Sequence, residues 1–277
     1  MSLKAMTSRR TIGRTGIEVS PLGFGTLKFG RNTGVKYPTP FDLPDDATIN
    51  GLLDGCRDAG INLLDTAAGY GSSESRLGAI LASRGDRDAW VISTKAGEDY
   101  DSGESVFDFS PEGVVASCER SLRRLRVDSV ECLLLHSDGV AENSFDRSGV
   151  FDAMDDLKQR GLIRAIGASI KTPEGAAIAI PRCDVLMIEY SFAAPSMRSS
   201  IEAAGAAGVG VFLKKVLGSG RVGDGYTRSA ADALRFVYET RGVTSVLIGT
   251  LNAGHLRENA RAAVEALGAG KSGGGSA

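Results

Sequence analysis

Histidine is scarce in this chain. His136 and His255 are the two among 277 residues, too few for a metal centre built on imidazoles. The four cysteines, Cys56, Cys118, Cys132 and Cys183, stand far apart and form no Cys-x-x-Cys pair, which fits buried free thiols in a reducing compartment. Lysine and arginine number 32 against 34 aspartates and glutamates. The chain therefore lacks the basic excess that binding to nucleic acid or an anionic membrane surface calls for. The one local basic run, Arg120, Arg123, Arg124 and Arg126, reads as the solvated face of a helix. No apolar run approaches the ~20 residues needed to span a bilayer. The opening residues 1–11 are polar and basic without an apolar centre, so a cytoplasmic location is expected. No Ser-His-Asp or Cys-His arrangement is evident. The Gly-x-Gly-x-x-Gly fingerprint of a doubly wound dinucleotide-binding sheet is also missing.

What is present is ordinary in amount and regular in order. Hydrophobic residues make up 42% and charged residues 24%, enough for one large domain with an ample core. After a hairpin-like opening over 10–19, with Gly13 and Gly16 at turn positions, strand-length apolar runs alternate with helical patterns. The expected strands are 22–25, 62–65, 90–95, 130–136, 163–168, 185–189, 209–213 and 245–248. Two helices declare themselves. Ser110 and Pro111 open one whose apolar residues Val114, Val115, Cys118, Leu122 and Leu125 share a face, and Val150, Phe151, Met154 and Leu157 mark another that Gly161 closes. Eight strand-helix pairs predict an α/β fold, a single TIM (β/α)8 barrel over 10–267 with an N-terminal β-hairpin and flexible tails at 1–9 and 268–277.

In such a barrel the strand ends at one rim form the site. Asp65 closes the second strand and Tyr70 follows five residues on, Lys95 closes the third and His136 the fourth. A free phenol has a pKa of about 10, so using Tyr70 calls for a nearby positive charge that favours phenolate. Lys95 supplies it, Asp65 keeps Lys95 charged, and His136 orients a carbonyl oxygen or shares the proton. The set is suited to protonating a carbonyl oxygen while a diffusible hydride donor attacks the carbon. Taken singly, each residue also has a plain role: Asp65 as a cap, Tyr70 as loop packing, His136 as a core histidine. Lys95, Lys214 and Lys215 leave a Schiff-base lyase open as a further alternative. Long connections over 29–45 and 97–109 leave the same rim and are expected to shape a substrate pocket.

The run Asp65-Thr66-Ala67 with Tyr70-Gly71, followed by Ser73-Glu74-x-x-Leu77-Gly78, resembles the signature of the aldo-keto reductases. So do Ser93-Thr94-Lys95, Ser121-Leu122-x-Arg124-Leu125 through Leu135-His136, Gly161 to Gly167, Leu217-Gly218-Ser219-Gly220 and Glu258-Asn259. The resemblance implies an oxidoreductase acting on a small aldehyde, ketone or sugar, with Tyr70 as general acid/base and Asp65, Lys95 and His136 around it. It further implies cofactor contacts from Thr26, Ser169, Met187, Lys214, Lys215, Leu217, Ser219, Gly249, Thr250, His255 and Asn259. The chain departs from the pattern at several of these. Ile170 follows Ser169 in place of Asn, Met187 stands where a carboxamide-binding Gln is usual, and Lys214 stands where an aromatic ring usually stacks on the nicotinamide. The Lys and Arg that many members place against a 2′-phosphate fall on Gly249 and His255. NADPH is the expected cofactor, with NADH the alternative, and a monomer or small homo-oligomer the expected assembly. A nucleotide-binding sensor with little turnover is the competing reading.

Overall fold

Apolar runs such as Cys132 to Leu135 suit strands covered on both faces, which is the condition of a parallel sheet wrapped by helices. The computed structural model, which describes residues 6–101, 103–145, 148–221 and 229–269, places eight such runs side by side. The strands are β1 (Arg10–Thr11), β2 (Glu18–Val19), β3 (Leu22–Gly25), β4 (Leu63–Asp65), β5 (Val91–Ala96), β6 (Glu98–Asp101), β7 (Glu104–Phe107), β8 (Val130–His136), β9 (Ile163–Ile170), β10 (Val185–Glu189), β11 (Gly210–Lys214) and β12 (Ser245–Ile248). Strands β3, β4, β5, β8, β9, β10, β11 and β12 close into a parallel (β/α)8 barrel, and β1 pairs antiparallel with β2. Residues 1–5 and 270–277 of the expected tails lie outside the described residues.

Helices α1 (Leu27–Gly30), α2 (Asp46–Asp58), α3 (Ser73–Arg84), α4 (Pro111–Leu125), α5 (Val150–Gln159), α6 (Pro173–Ala179), α7 (Arg198–Ala206), α8 (Ala230–Tyr238) and α9 (Ala253–Ala269) follow the strands. Several begin where sequence chemistry places them. Asp45 accepts from Thr48 N at 2.7 Å, and Ser110 accepts from Gly113 N at 3.0 Å with Pro111 in the first turn, satisfying amides that have no partner inside the helix. No helix of the described residues is long and apolar enough to cross a membrane. Inside the barrel, Leu63, Cys132, Leu134, Val185, Met187 and Phe212 fill the centre. The outward faces of the strands pack on the helices in a larger apolar layer.

Strands β4, β5 and β11 shift by one residue at one or both ends from the sequence expectation, and two larger details differ. Strand β9 runs on to Ile170, two residues beyond Ala168, because Ser169 pairs with His136 and Met187 while Ile170 pairs with Ile188. The connection 97–109 is not irregular: β6 and β7 form a hairpin, with Glu98 opposite Phe107 and Tyr100 opposite Ser105. Gly97, at φ 99°, and Gly103, at φ 96°, adopt turns that side chains resist. The hairpin stands at the rim beside the ends of β4, β5 and β8.

Candidate active site

The site grows from strand pairing. Asp65 ends β4 opposite Ser93 of β5, whose hydroxyl donates to Asp65 Oδ1 at 3.2 Å. Lys95 lies two residues further along β5, on the same face, and is fully buried. Its Nζ donates to Asp65 Oδ1 and Oδ2, both at 2.8 Å, to the Thr66 carbonyl at 2.7 Å and to Tyr70 Oη at 3.2 Å. Four oxygens thus surround three N–H donors. Because the phenol oxygen accepts from the ammonium, the phenol's own O–H is left for another acceptor.

Burial pushes Asp65 up and Lys95 down, and each is opposed by the charge of the other. Tyr70 behaves differently from the sequence expectation. Burial, followed by the Asp65 and Glu98 carboxylates, drives its phenol well above the ordinary value. Burial and the two carboxylates outweigh what the Lys95 ammonium, itself paired with Asp65, contributes toward phenolate, and Tyr70 keeps its proton.

His136 ends β8 with its ring edge-on to Tyr70, the centroids 5.9 Å apart. Its Nδ1 lies 2.8 Å from Glu98 Oε2, with the carboxylate off the axis of the N–H and the nitrogen itself buried. Burial lowers His136 to about 4, with Lys95 and Lys214 adding to the effect and Glu98 opposing it. Burial alone would raise Glu98, but the close contact with His136 and the hydrogen bonds from Ser105 and Arg31 outweigh it and bring the group to about 2. At neutral pH the carboxylate is therefore charged and the imidazole neutral.

Glu98 is absent from the residues expected from sequence. Its Oε1 accepts from Ser105 Oγ at 2.6 Å and from Arg31 Nη1 at 3.1 Å. Arg31 also donates to the Gly69 carbonyl at 2.7 Å and lies 3.9 Å from the Tyr100 ring centroid. A Cβ on Gly69 would come within 2.9 Å of Glu98 Cδ, so the glycine admits the carboxylate. The available signal was a short run of hairpin length around Gly103 immediately after Lys95.

The remaining expected residues divide. Lys214, at the end of β11, donates to Ser169 Oγ at 2.6 Å. Burial lowers it to about 7, helped by Lys215, Lys95 and Lys171 and opposed by Glu189. Lys215 pairs with Glu189 and, like Ser219, has a positive φ, in the loop that also carries the half-buried Leu217. At the end of β12, Thr250 Oγ1 accepts from Asn252 N at 3.0 Å, and Asn252 Oδ1 accepts from Gly254 N and His255 N at the start of α9. Asn259 is buried one turn further on. A Cβ on Gly249 would come within 3.1 Å of the Gly25 carbonyl, so bare backbone shapes this corner. Ser169, Lys214, Ser219, Thr250 and a helix start form a donor set suited to an amide and anionic phosphates. Two expected cofactor residues sit deeper. Met187 is enclosed in the barrel interior and offers no polar group to the mouth. Thr26 is buried, with Oγ1 donating to the Asp65 carbonyl at 3.0 Å and 2.8 Å from Ser73 Oγ, tying β3, β4 and α3 together beneath the site.

The model of the aldo/keto reductase family matches residues 21–232. The chain is 31% identical over 206 residues to pyridoxal 4-dehydrogenase of Microbacterium luteolum, covering 61% of this chain and 57% of that one. It is 35% identical over 163 residues to L-galactose dehydrogenase of Arabidopsis thaliana, covering 57% and 47%. The matched region thus spans about half the length of these relatives. A crystal structure from Pseudomonas aeruginosa, assigned to the aldo-keto reductases, superposes with TM-score 0.87 at 40% identity, covering 96% of this chain and 98% of that one.

Proposed function

The chain belongs to the aldo/keto reductase family, and from that membership we propose that it transfers a hydride between a nicotinamide cofactor and the carbonyl or alcohol carbon of a small aldehyde, ketone or sugar. The observation that carries the reading is Lys95 Nζ, held by both oxygens of Asp65 and 3.2 Å from Tyr70 Oη at the rim. In the reducing direction Tyr70 gives its proton to the carbonyl oxygen, and in the oxidising direction it takes one back. Asp65 keeps Lys95 in place, and Lys95 orients the phenol. When bound, the nicotinamide supplies or accepts the hydride.

Ser169 and Lys214 would hold the nicotinamide end, Leu217 and Ser219 the pyrophosphate, and Gly249, Thr250, His255 and Asn259 the adenosine. We assign NADPH, whose 2′-phosphate Thr250 and His255 would hold, since Lys215 is engaged by Glu189. A fluorescence titration checks the assignment: NADPH should bind more tightly than NADH at neutral pH, and the reverse order would reassign the cofactor. The names of the relatives direct the substrate panel toward pyridoxal and L-galactose. Tyr70→Phe should lower turnover at least ~10²-fold, the lower bound for general acid catalysis, while nucleotide affinity stays unchanged. A variant with full activity would remove Tyr70 from the mechanism. Ile170 and Met187, both apolar and enclosed, favour the sensor as a second reading; tight nucleotide binding without turnover across the panel would select it.

A further inference from the structure

The contact between Glu98 and His136 sets the polarity of the barrel mouth. A neutral imidazole carries one N–H and one lone pair; Nδ1 lies 2.8 Å from a carboxylate oxygen, outside hydrogen-bond geometry yet near enough that the negative charge repels a lone pair there and attracts an N–H. The Glu98 charge is secured by Ser105 and Arg31, which both donate to its other oxygen. The ring proton therefore belongs on Nδ1, the buried nitrogen, and the lone pair on Nε2. The other charged groups around this pair act in the same direction. Lys95 on β5, Lys214 on β11 and Lys171 beyond β9 surround it with positive charge, which disfavours a second proton on the ring. Tyr70 has the opposite polarity, because its oxygen accepts from Lys95 and its O–H is free to donate.

We propose that Glu98 is a positioning residue that holds His136 in its Nδ1–H form, so that the site prefers the hydroxyl-bearing member of its redox pair, an alcohol or the ring hydroxyl of a cyclic hemiacetal, over the bare carbonyl. The inference rests on the oxidoreductase reading above. A hydroxyl oxygen accepts from Tyr70 and donates its own proton to His136 Nε2, satisfying both groups. A carbonyl oxygen only accepts, so it meets the Tyr70 O–H but turns a lone pair toward that of Nε2. Leaving one polar group unmatched in a partly desolvated site weakens binding about tenfold.

The tautomer is read directly by nitrogen NMR of protein labelled in histidine. The chain holds two histidines, and a His136→Phe variant assigns the signals. The expected result, in the free wild-type protein at neutral pH, is a protonated Nδ1 and an unprotonated Nε2; the reverse tautomer would overturn the proposal without any need for a Glu98 variant. Binding is then measured in two non-reacting complexes, benzyl alcohol with the reduced cofactor present and benzaldehyde with the oxidised cofactor present. The wild type should bind the alcohol about tenfold more tightly, and Glu98→Leu should bring the ratio near one and make the Nε2–H form appear. Equal binding in the wild type, or a preference retained in the variant, would refute the role of Glu98. If neither nicotinamide nucleotide binds at all, the oxidoreductase reading fails and the hydroxyl preference with it, while the tautomer experiment still judges the Glu98–His136 pairing.

Discussion

A buried ammonium is tolerated only while its carboxylate is present. Lys95 is wholly enclosed, and apart from Asp65 its polar contacts are the Thr66 carbonyl and the Tyr70 phenol. Asp65→Ala should therefore cost about 3–5 kcal/mol, the usual penalty for stranding one member of a buried pair, read as a loss of unfolding free energy in urea. Replacing both charges is a different perturbation. The double variant Asp65→Leu with Lys95→Met removes the stranded charge as well as the pair, so it should be more stable than Asp65→Ala while remaining inactive. A double variant no more stable than the single one would mean that packing, rather than charge, dominates here. Asp65, Tyr70, Lys95 and His136 were legible in sequence because a strand end is a sequence feature: each ionisable residue stops or follows an apolar run. The protonation of Tyr70 was not legible, since it depends on the depth at which the phenol is buried and then on two carboxylates, one of which, Glu98, reaches the mouth from a separate hairpin. The depth of Met187 was hidden for a related reason, because the residue aligned with a polar position but the strand turns it into the barrel centre.

At the scale of elements, legibility followed burial. The barrel strands were readable because both faces are covered and the apolar run shows directly, and α4 and α5 because one apolar face repeats at helical spacing. The hairpin of β6 and β7 has neither signal. Val106 and Phe107 are exposed, at 58% and 42%, so the strand lacks the inside-outside alternation that marks a half-buried sheet. What holds it is specific and polar: Ser105 and Arg31 on Glu98, the Arg31 guanidinium on Tyr100, and the Thr33 hydroxyl against the Tyr100 phenol. These contacts join the hairpin to the segment after α1, and they cross between parts of the chain that periodicity treats separately. One consequence links fold to chemistry. The same polar contacts that anchor the hairpin also fix the charge beside His136, so the pocket wall and the polarity of the mouth are set by one group of side chains.

Over the whole molecule the charges nearly cancel, with a formal net of −2, yet the mouth concentrates lysines. Lys214 lies near Lys95, Lys171 and Lys215, with Glu189 opposing them and itself engaged by Lys215. It donates to the neutral Ser169 hydroxyl, so an ammonium at this position is poorly compensated in the folded state. The sign of the effect on stability follows from the lowered value of about 7 against an ordinary 10.5. Below pH 7 both folded and unfolded chains carry the proton, and the folded state bears the full cost. Between about 7 and 10.5 the unfolded chain binds more protons than the folded one, so stability gained from this group rises with pH. Lys214→Met should thus melt above the wild type at pH 6, and the gap should close as pH approaches 10. Partial exposure of Lys214 at the rim screens the charge, which limits the expected difference to about 2–4 °C, the shift that ~1 kcal/mol produces in a domain of this size. An anion in the mouth supplies the missing counter-charge, so saturating pyrophosphate should shrink the pH 6 gap by stabilising the wild type more than the variant. A gap that is the same at pH 6 and pH 10 would show that the variant acts through packing and that the folded protein accommodates the ammonium without cost.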